Sequence, residues 1–471
     1  MKKKLGTIVM AGVMACTMTA GIALSGCGSK AAPDLVIPDG GYDGSEVTIK
    51  FYHTMGSNLT DVLDEYIVEF NKLYPKIHVE YEAVGGYDDV RDQIATEITV
   101  GNQPNIAYCY PDHVALYNTS GAVQTLNSLI DSDITVTRAD NTTETLGLTD
   151  DQINDFIKGY YDEGKQFGDD RMYTMPFSKS TEVLYYNKTF FDANNIKVPE
   201  TWDELGEACQ KILDITGGKT ADGTVIFPLG YDSEANWFIT MCEQYGSPYT
   251  SATGDHFLFD NAKNREFVQK FKEWYDKGYF TTQAINGTYT SNLFVAQTSF
   301  MSIGSSAGAT HQRPSKVGDS YPFEVGIATI PQVDKNRPKV ISQGPSVCIF
   351  KKENVQEVIA SWLFVKYLTT DVAFQASFST ASGYVPVLKS VADFPTYKAK
   401  LDSANGGDNI AFLSAKVCMA QEAAYYTSPA FNGSSKARDE VGSLIQAVFT
   451  GSKTLDQAFK DAIDECEYFV G

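Results

Sequence analysis

The chain has 471 residues, too many for one ordinary hydrophobic core, so two or more domains are expected. Its 43% hydrophobic and 12% aromatic content suffices for well-packed interiors. A formal charge of −21, from 38 Lys plus Arg against 59 Asp plus Glu, argues against a nucleic-acid partner, whose phosphates require clustered cations.

In chain order, Lys2, Lys3 and Lys4 precede an apolar run from Leu5 to Ala23 and then Leu24-Ser25-Gly26-Cys27. A charged start, an apolar middle and small residues predict a secretion signal over 1–26. Leu-Ser-Gly-Cys resembles a lipobox, which implies cleavage before Cys27 and lipid attachment to it. Residues 27–45 are rich in Gly, Pro, Asp and Ser and predict a flexible linker. Order begins with an alternating strand, Val47 to His53, followed by a helix with Val62, Leu63, Tyr66, Ile67 and Phe70 at helical spacing. Tyr74-Pro75 ends it, and Ile77 to Tyr81 is the next strand, so a parallel α/β sheet is expected. Gly85-Gly86-Tyr87-Asp88 opens a second helix, and Pro104 to Tyr108 predicts a strand aimed at a loop, Pro111-Asp112-His113. The polar stretch 131–151 predicts a surface excursion. After Pro176-Phe177-Ser178-Lys179-Ser180, a β-branched and aromatic run to Lys188 predicts a buried strand. Helices follow over Thr201–Leu213 and Ala262–Lys277. A strand at Phe300–Ile303 runs into Gly304-Ser305-Ser306-Ala307-Gly308, and another covers Val325–Ala328. Ile341-Ser342-Gln343-Gly344-Pro345-Ser346 leads into an apolar strand. A helix over Val355–Leu368, the segment Gly383-Tyr384-Val385-Pro386-Val387 and a helical remainder complete the chain.

Four sets of residues can carry chemistry. Gly304-x-Ser306-x-Gly308 matches a nucleophile elbow, but the triad order needs an acid and then a histidine downstream. The sole later histidine, His311, stands five positions on with no acid between. Glycine-flanked hydroxyls and free backbone N–H groups suit anion or hydroxyl binding better. The five histidines lack metal-ligand spacing, although His53 closes a strand at an expected cleft edge. Of eight cysteines, six (Cys109, Cys209, Cys242, Cys348, Cys418, Cys466) lie far apart with no Cys-x-x-Cys pair, so neither metal nor cofactor is expected. Disulfides are possible outside the cell, but apolar neighbours around most of these cysteines predict buried thiols. Tyr87, Tyr108, Tyr231, Tyr289 and Tyr384, with Trp237, stand in loops or element ends, where an aromatic face can pack on a sugar and a phenol can find a polar partner. Arg438, after Gly433-Ser434-Ser435, can fork onto a phosphate or carboxylate, or lie exposed.

The strand ending Leu184-Tyr185-Tyr186-Asn187-Lys188, then Thr189-Phe190-Phe191-Asp192 and Pro199-Glu200-Thr201-Trp202-Asp203-Glu204, resembles the interlobe crossover of bacterial extracellular solute-binding proteins (family 1) of ABC importers. The Phe51-Tyr52-His53 opening and the Phe70-Asn71-Lys72-Leu73-Tyr74-Pro75 helix end resemble that family's first unit. The resemblance implies an α/β, two-lobed clamshell like the type II periplasmic binding proteins, with interlobe crossovers. Its lobes would be 46–185 plus 338–383 and 186–337 plus 384–471. Within the family the chain resembles the carbohydrate and glycerol-3-phosphate-binding branch. That likeness implies ligand contacts from Tyr87, Ser180, Ser305, Gly344, Tyr384 and Arg438. The branch's ligand glutamate falls on Pro111, with Asp112 the neighbouring carboxylate, and its first-strand tryptophan is Tyr52; both departures leave a neutral sugar and a polyol phosphate open. His53 and Trp237 complete the candidate set. The expected protein is not an enzyme but a monomer, lipid-anchored at Cys27 on the outer face of the cell membrane. It would pass a small solute to an ABC transporter permease. A secreted hydrolase using Ser306 and a surface adhesin are the alternatives.

Overall fold

The computed structural model describes residues 35–470; the secretion signal and the lipidation reading of Cys27 lie outside them. Two α/β lobes are built on two sheets. The first sheet has the order Ile77–Ala83, Val47–His53, Ile106–Cys109, Ser346–Ile349, Thr174–Pro176. Val47–His53 runs parallel to both neighbours, whereas Ser346–Ile349 is antiparallel to both of its own. Alternation explains the first strand: Val47, Ile49 and Phe51 are buried and Thr48 and Lys50 exposed. Helix Val355–Thr370 is buried almost all round, because it lies between the sheet and its neighbouring helices. The first core extends from Val47 through Phe177 and resumes from Val347 to Cys418.

The second sheet has the order Tyr425–Tyr426, Val340–Gln343, Ser180–Asn187, Met301–Ser305, Leu229–Tyr231, Phe280–Thr282, with Val325–Thr329 also on Ser180–Asn187. Its core runs from Leu184 to Ile341 and resumes at Ala424, closing with helices Ser434–Thr450 and Leu455–Val470. Helix Trp202–Thr216 shows how locally its elements are specified. Thr201 and Glu204 form a reciprocal capping box, and Gly217 in the left-handed region ends the helix.

The chain passes between the sheets at 177–179 and again at 344–345, where Gly344 has φ +88°. A Cβ on Gly344 would stand 2.4 Å from the Ser178 carbonyl oxygen, so only glycine fits. Val385, in the segment expected as a further crossing, pairs with Lys179 through N···O contacts of 3.2 and 2.8 Å. Residues 389–402 still pack on the first core, and the backbone joins the second sheet at Tyr425–Tyr426.

Two stretches differ from expectation for the same reason: sparse apolar residues are anchored by polar ones. Within the expected linker, Leu35, Ile37 and Tyr42 pack on the first core, and Gln356 bonds Asp43 N and Gly41 O at 3.0 and 3.2 Å. Within the expected surface excursion, Val136, Leu146 and Leu148 are buried, and Trp362 Nε1 donates to the Leu146 carbonyl at 2.8 Å. Pro111 begins a helix, Pro111–Asn118, rather than lying in a loop, since proline suits a first helical position. All six cysteines of the described residues are buried free thiols. No helix among those residues is long and apolar enough to cross a membrane.

Candidate functional site

Ligands of open α/β sheets settle beyond the carboxyl ends of the strands. Strand Ile106–Cys109 ends there and gives Tyr110 and the first turn of Pro111–Asn118. The first turns of Tyr87–Ile98 and Ser434–Thr450 converge on the same place, from the first and second lobes respectively. Between them lies a cleft of about 260 Å³. The first lobe contributes Tyr87, Asp88, Tyr110, Asp112, His113 and Glu163. The second lobe contributes Ser342 and Gln343, from strand Val340–Gln343 just before the crossing at 344–345, and Tyr249, Thr250, Ser435, Arg438 and Asp439. Three helix N-termini put partial positive charge here, which favours the carboxylates of Asp88 and Asp112 and any oxygen-rich solute.

Five buried polar atoms of this lining have no protein partner: His113 Nδ1, Tyr249 Oη, Thr250 Oγ1, Ser342 Oγ and Gln343 Oε1. Such groups are costly unless something else bonds them. The aromatic side is formed by Tyr87 and Tyr110, edge to face with centroids 4.9 Å apart, and Tyr110 meets His113 at 5.7 Å. Burial pushes the Tyr87 phenol well above its ordinary range, with Tyr110 and Tyr384 adding to the effect. Burial also holds His113 below the usual imidazole range, opposed by Asp112. Glu163 is neutralised by Lys179, both side chains being essentially inaccessible. The same ammonium donates to Gly344 O at 3.1 Å, and Ser346 Oγ donates to Glu163 at 3.1 Å. Arg438 Nη2 donates to the carbonyl of Asn236, a neutral partner.

Of the residues expected from sequence, Tyr87, Asp112 and Arg438 line the cleft directly. Tyr384 stands beside Tyr87 and raises its phenol further. Ser180 is buried opposite Gln343 in the strand pair, and Gly344 follows Gln343 in the chain, so both adjoin the lining. Ser305 is turned to local work, its Oγ accepting from Ala307 N at 3.2 Å. His53 is fully buried among Phe51, Tyr81 and Tyr108, its Nδ1 accepting from Met55 N at 3.0 Å. Trp237 belongs to the second core, against Phe267, Phe271 and Phe449. Ser306 is buried and its Oγ accepts from Thr181 N at 3.1 Å, while His311 is exposed. Tyr249, Thr250, Ser342 and Gln343 escape a sequence reading. Their only signal is position, in turns such as Gly246-Ser247-Pro248-Tyr249-Thr250 and Ser342-Gln343-Gly344.

Two α/β lobes joined by strand crossovers, with a polar cleft between helix N-termini, define a clamshell solute-binding architecture. The chain belongs to the family described as bacterial extracellular solute-binding protein, whose model matches residues 65–404. It is 21% identical over 434 residues to the sn-glycerol-3-phosphate-binding periplasmic protein UgpB of Salmonella typhimurium, covering 88% of this chain and 91% of that protein. Among solved structures it resembles the cyclic alpha-maltosyl-1,6-maltose binding protein from Arthrobacter globiformis (TM-score 0.69, 19% identity, 90% of this chain and 99% of that one). It also resembles UgpB from Mycobacterium tuberculosis in complex with glycerophosphocholine (TM-score 0.69, 16% identity, 90% and 98%). At these identities the structural likenesses show the fold.

Proposed function

We propose that this protein captures a polyhydroxylated solute, a carbohydrate or a glycerol-3-phosphate-like polyol phosphate, between its lobes and delivers it to an ABC import permease. One observation supports this above the rest: residues that carry partnerless buried polar atoms line one cleft from both lobes together. A solute with hydroxyls on several sides can bond groups of both lobes at once only with the lobes closed. A ligand shifts a conformational equilibrium through its differential affinity, so such a solute drives closure. The relatives named for glycerol 3-phosphate and for a cyclic maltosyl maltose lend the same two chemistries. The lobe boundary is drawn at 177–179, at 344–345 and before Tyr425, because the two cores divide there. Tyr87, Tyr110, Asp112, Ser342, Gln343, Tyr249 and Arg438 are the proposed ligand contacts, with Tyr384 supporting Tyr87. The chain itself makes or breaks no bond. It is held at the outer face of the cell membrane by lipid on Cys27, after removal of residues 1–26, and acts as a monomer.

Thermal-shift screening of the mature domain against sugars, polyols and their phosphates tests the reading, since a specific ligand raises the melting point by mass action. If the ligand is a phosphate, Arg438→Ala weakens binding by about 2 kcal/mol or more. Unchanged affinity in that variant assigns a neutral saccharide. No shift with any member of the panel would sink the proposal.

A further inference from the structure

Behind the second-lobe wall of the cleft lies a buried acid with no face toward a ligand. Glu182 stands on strand Ser180–Asn187, opposite Ser305, and is 1% exposed. Its Oε2 accepts from Tyr231 Oη at 2.5 Å and its Oε1 from Asn236 Nδ2 at 2.9 Å. A primary amide has one donating and one accepting end. With Nδ2 engaged by the carboxylate, the Asn236 carbonyl points the other way, and there it accepts from Arg438 Nη2.

We propose that Glu182 is a positioning residue for Arg438: its carboxylate sets the direction of the Asn236 amide, whose carbonyl then holds the guanidinium at the cleft. The inference rests on Arg438 as a ligand contact. Protonating Glu182 reverses the logic, because a carboxylic acid carries a donor of its own. With Tyr231 still donating to Oε2, the proton sits on Oε1, and the Asn236 amide turns to accept it and presents its NH2 to the guanidinium, donor against donor, so the hold on Arg438 is lost.

The groups that face Glu182 come from four elements. Tyr231 and the nearby Asp232 follow from strand Leu229–Tyr231, Asn236 from helix Glu234–Tyr245, Arg438 from helix Ser434–Thr450 and Tyr426 from the edge strand. Gln421 Nε2 adds a 3.4 Å bond to the Glu182 backbone carbonyl. Burial, and to a smaller degree Asp232, raise the Glu182 carboxyl to about 7, against the bonds from Tyr231 and Asn236 and the charge of Arg438. A buried acid coupled to Arg438 by charge alone would go on shifting Arg438 without the Asn236 amide, whereas the relay requires that amide.

The test follows the Arg438 Nε–H signal by NMR in ligand-free protein carrying nitrogen-labelled arginine, assigned with Arg438→Lys. In the wild type the signal should titrate with a midpoint near the Glu182 value of about 7. That step should vanish in Glu182→Gln and in Asn236→Ala, the latter serving if the first fails to fold. A flat wild-type signal, or a step that survives Asn236→Ala, overturns the relay. Calorimetric titration with sn-glycerol 3-phosphate and with maltotriose adds a binding readout. Glu182→Gln should weaken whichever probe the wild type binds by about tenfold or more, and equal affinity counts against the relay. If neither probe binds the wild type while the titration step behaves as stated, the relay stands and the ligand role of Arg438 is what fails.

Discussion

His53 and Glu182 are both buried ionisable groups, one in each lobe, and their linkage to stability has opposite sign. Burial pushes His53 down from 6.5 to about 4, so its neutral form is the folded one. Its contribution is present above pH 6.5 and is lost as pH falls toward 4. Glu182 is raised from 4.5 to about 7, so its contribution is present below 4.5 and is lost as pH rises through 7. Each is worth on the order of 3 kcal/mol at full effect. The wild-type melting curve should therefore be flattened between these limits. His53→Gln should expose a fall in stability with rising pH, and Glu182→Gln a rise, both read by calorimetric melting across the range. Parallel profiles in all three proteins would refute the assignment. At this scale the sequence is least legible. His53 was marked by its strand-end position, yet the same position serves a core histidine as well as a ligand. Trp237 shows the same ambiguity, an aromatic at a helix whose face only packing decides.

The elements that matter most are the crossovers, and their anchor is Lys179. Its backbone pairs with Val385, and its ammonium binds Glu163 and the Gly344 carbonyl, so one residue ties together three passages of chain. Removing one partner of a buried pair leaves an uncompensated charge, so Lys179→Met should cost about 3–5 kcal/mol. Lys179→Met with Glu163→Gln should recover much of that loss in urea unfolding. A loss below about 1 kcal/mol in the single variant would show that the pair is not needed there. The strand Leu184 to Asn187 and its polar loop were legible, because apolar run and turn composition are local properties. That Lys179 is inaccessible was not: charged residues in a Ser-Lys-Ser loop are ordinarily solvated, and its partner Glu163 lies 16 residues upstream.

On the scale of the whole molecule, a contact runs directly between the lobes across the cleft. Arg91, on helix Tyr87–Ile98, is bound to Asp88 and Asp92 at 2.9 and 2.8 Å and reaches Ser435 Oγ at 3.3 Å on the opposite lobe. One such bond contributes about 1 kcal/mol, so Arg91→Ala should raise the ligand dissociation rate by several-fold and leave association little changed. Small-angle scattering of the ligand-free variant should report a more open average. An unchanged off-rate would mean that the contact forms without favouring the closed state.

Composition, alternation and turn chemistry by themselves determined the α/β class and the succession of strands and helices along the chain, while the resemblance to a family pointed to Tyr87, Asp112 and Arg438 as candidate ligand contacts. The first follow from periodicity and the second from motifs written in neighbouring residues. Only the tertiary structure decided that His113, Tyr249, Ser342 and Gln343 share one cleft, and that Glu182 stands behind Arg438. Their meeting depends on two sheets brought together by crossovers far apart in sequence, as Lys179 and Gly344 are, 165 residues apart. A buried polar atom is identified as partnerless only when every neighbour is in place, and no local pattern encodes that.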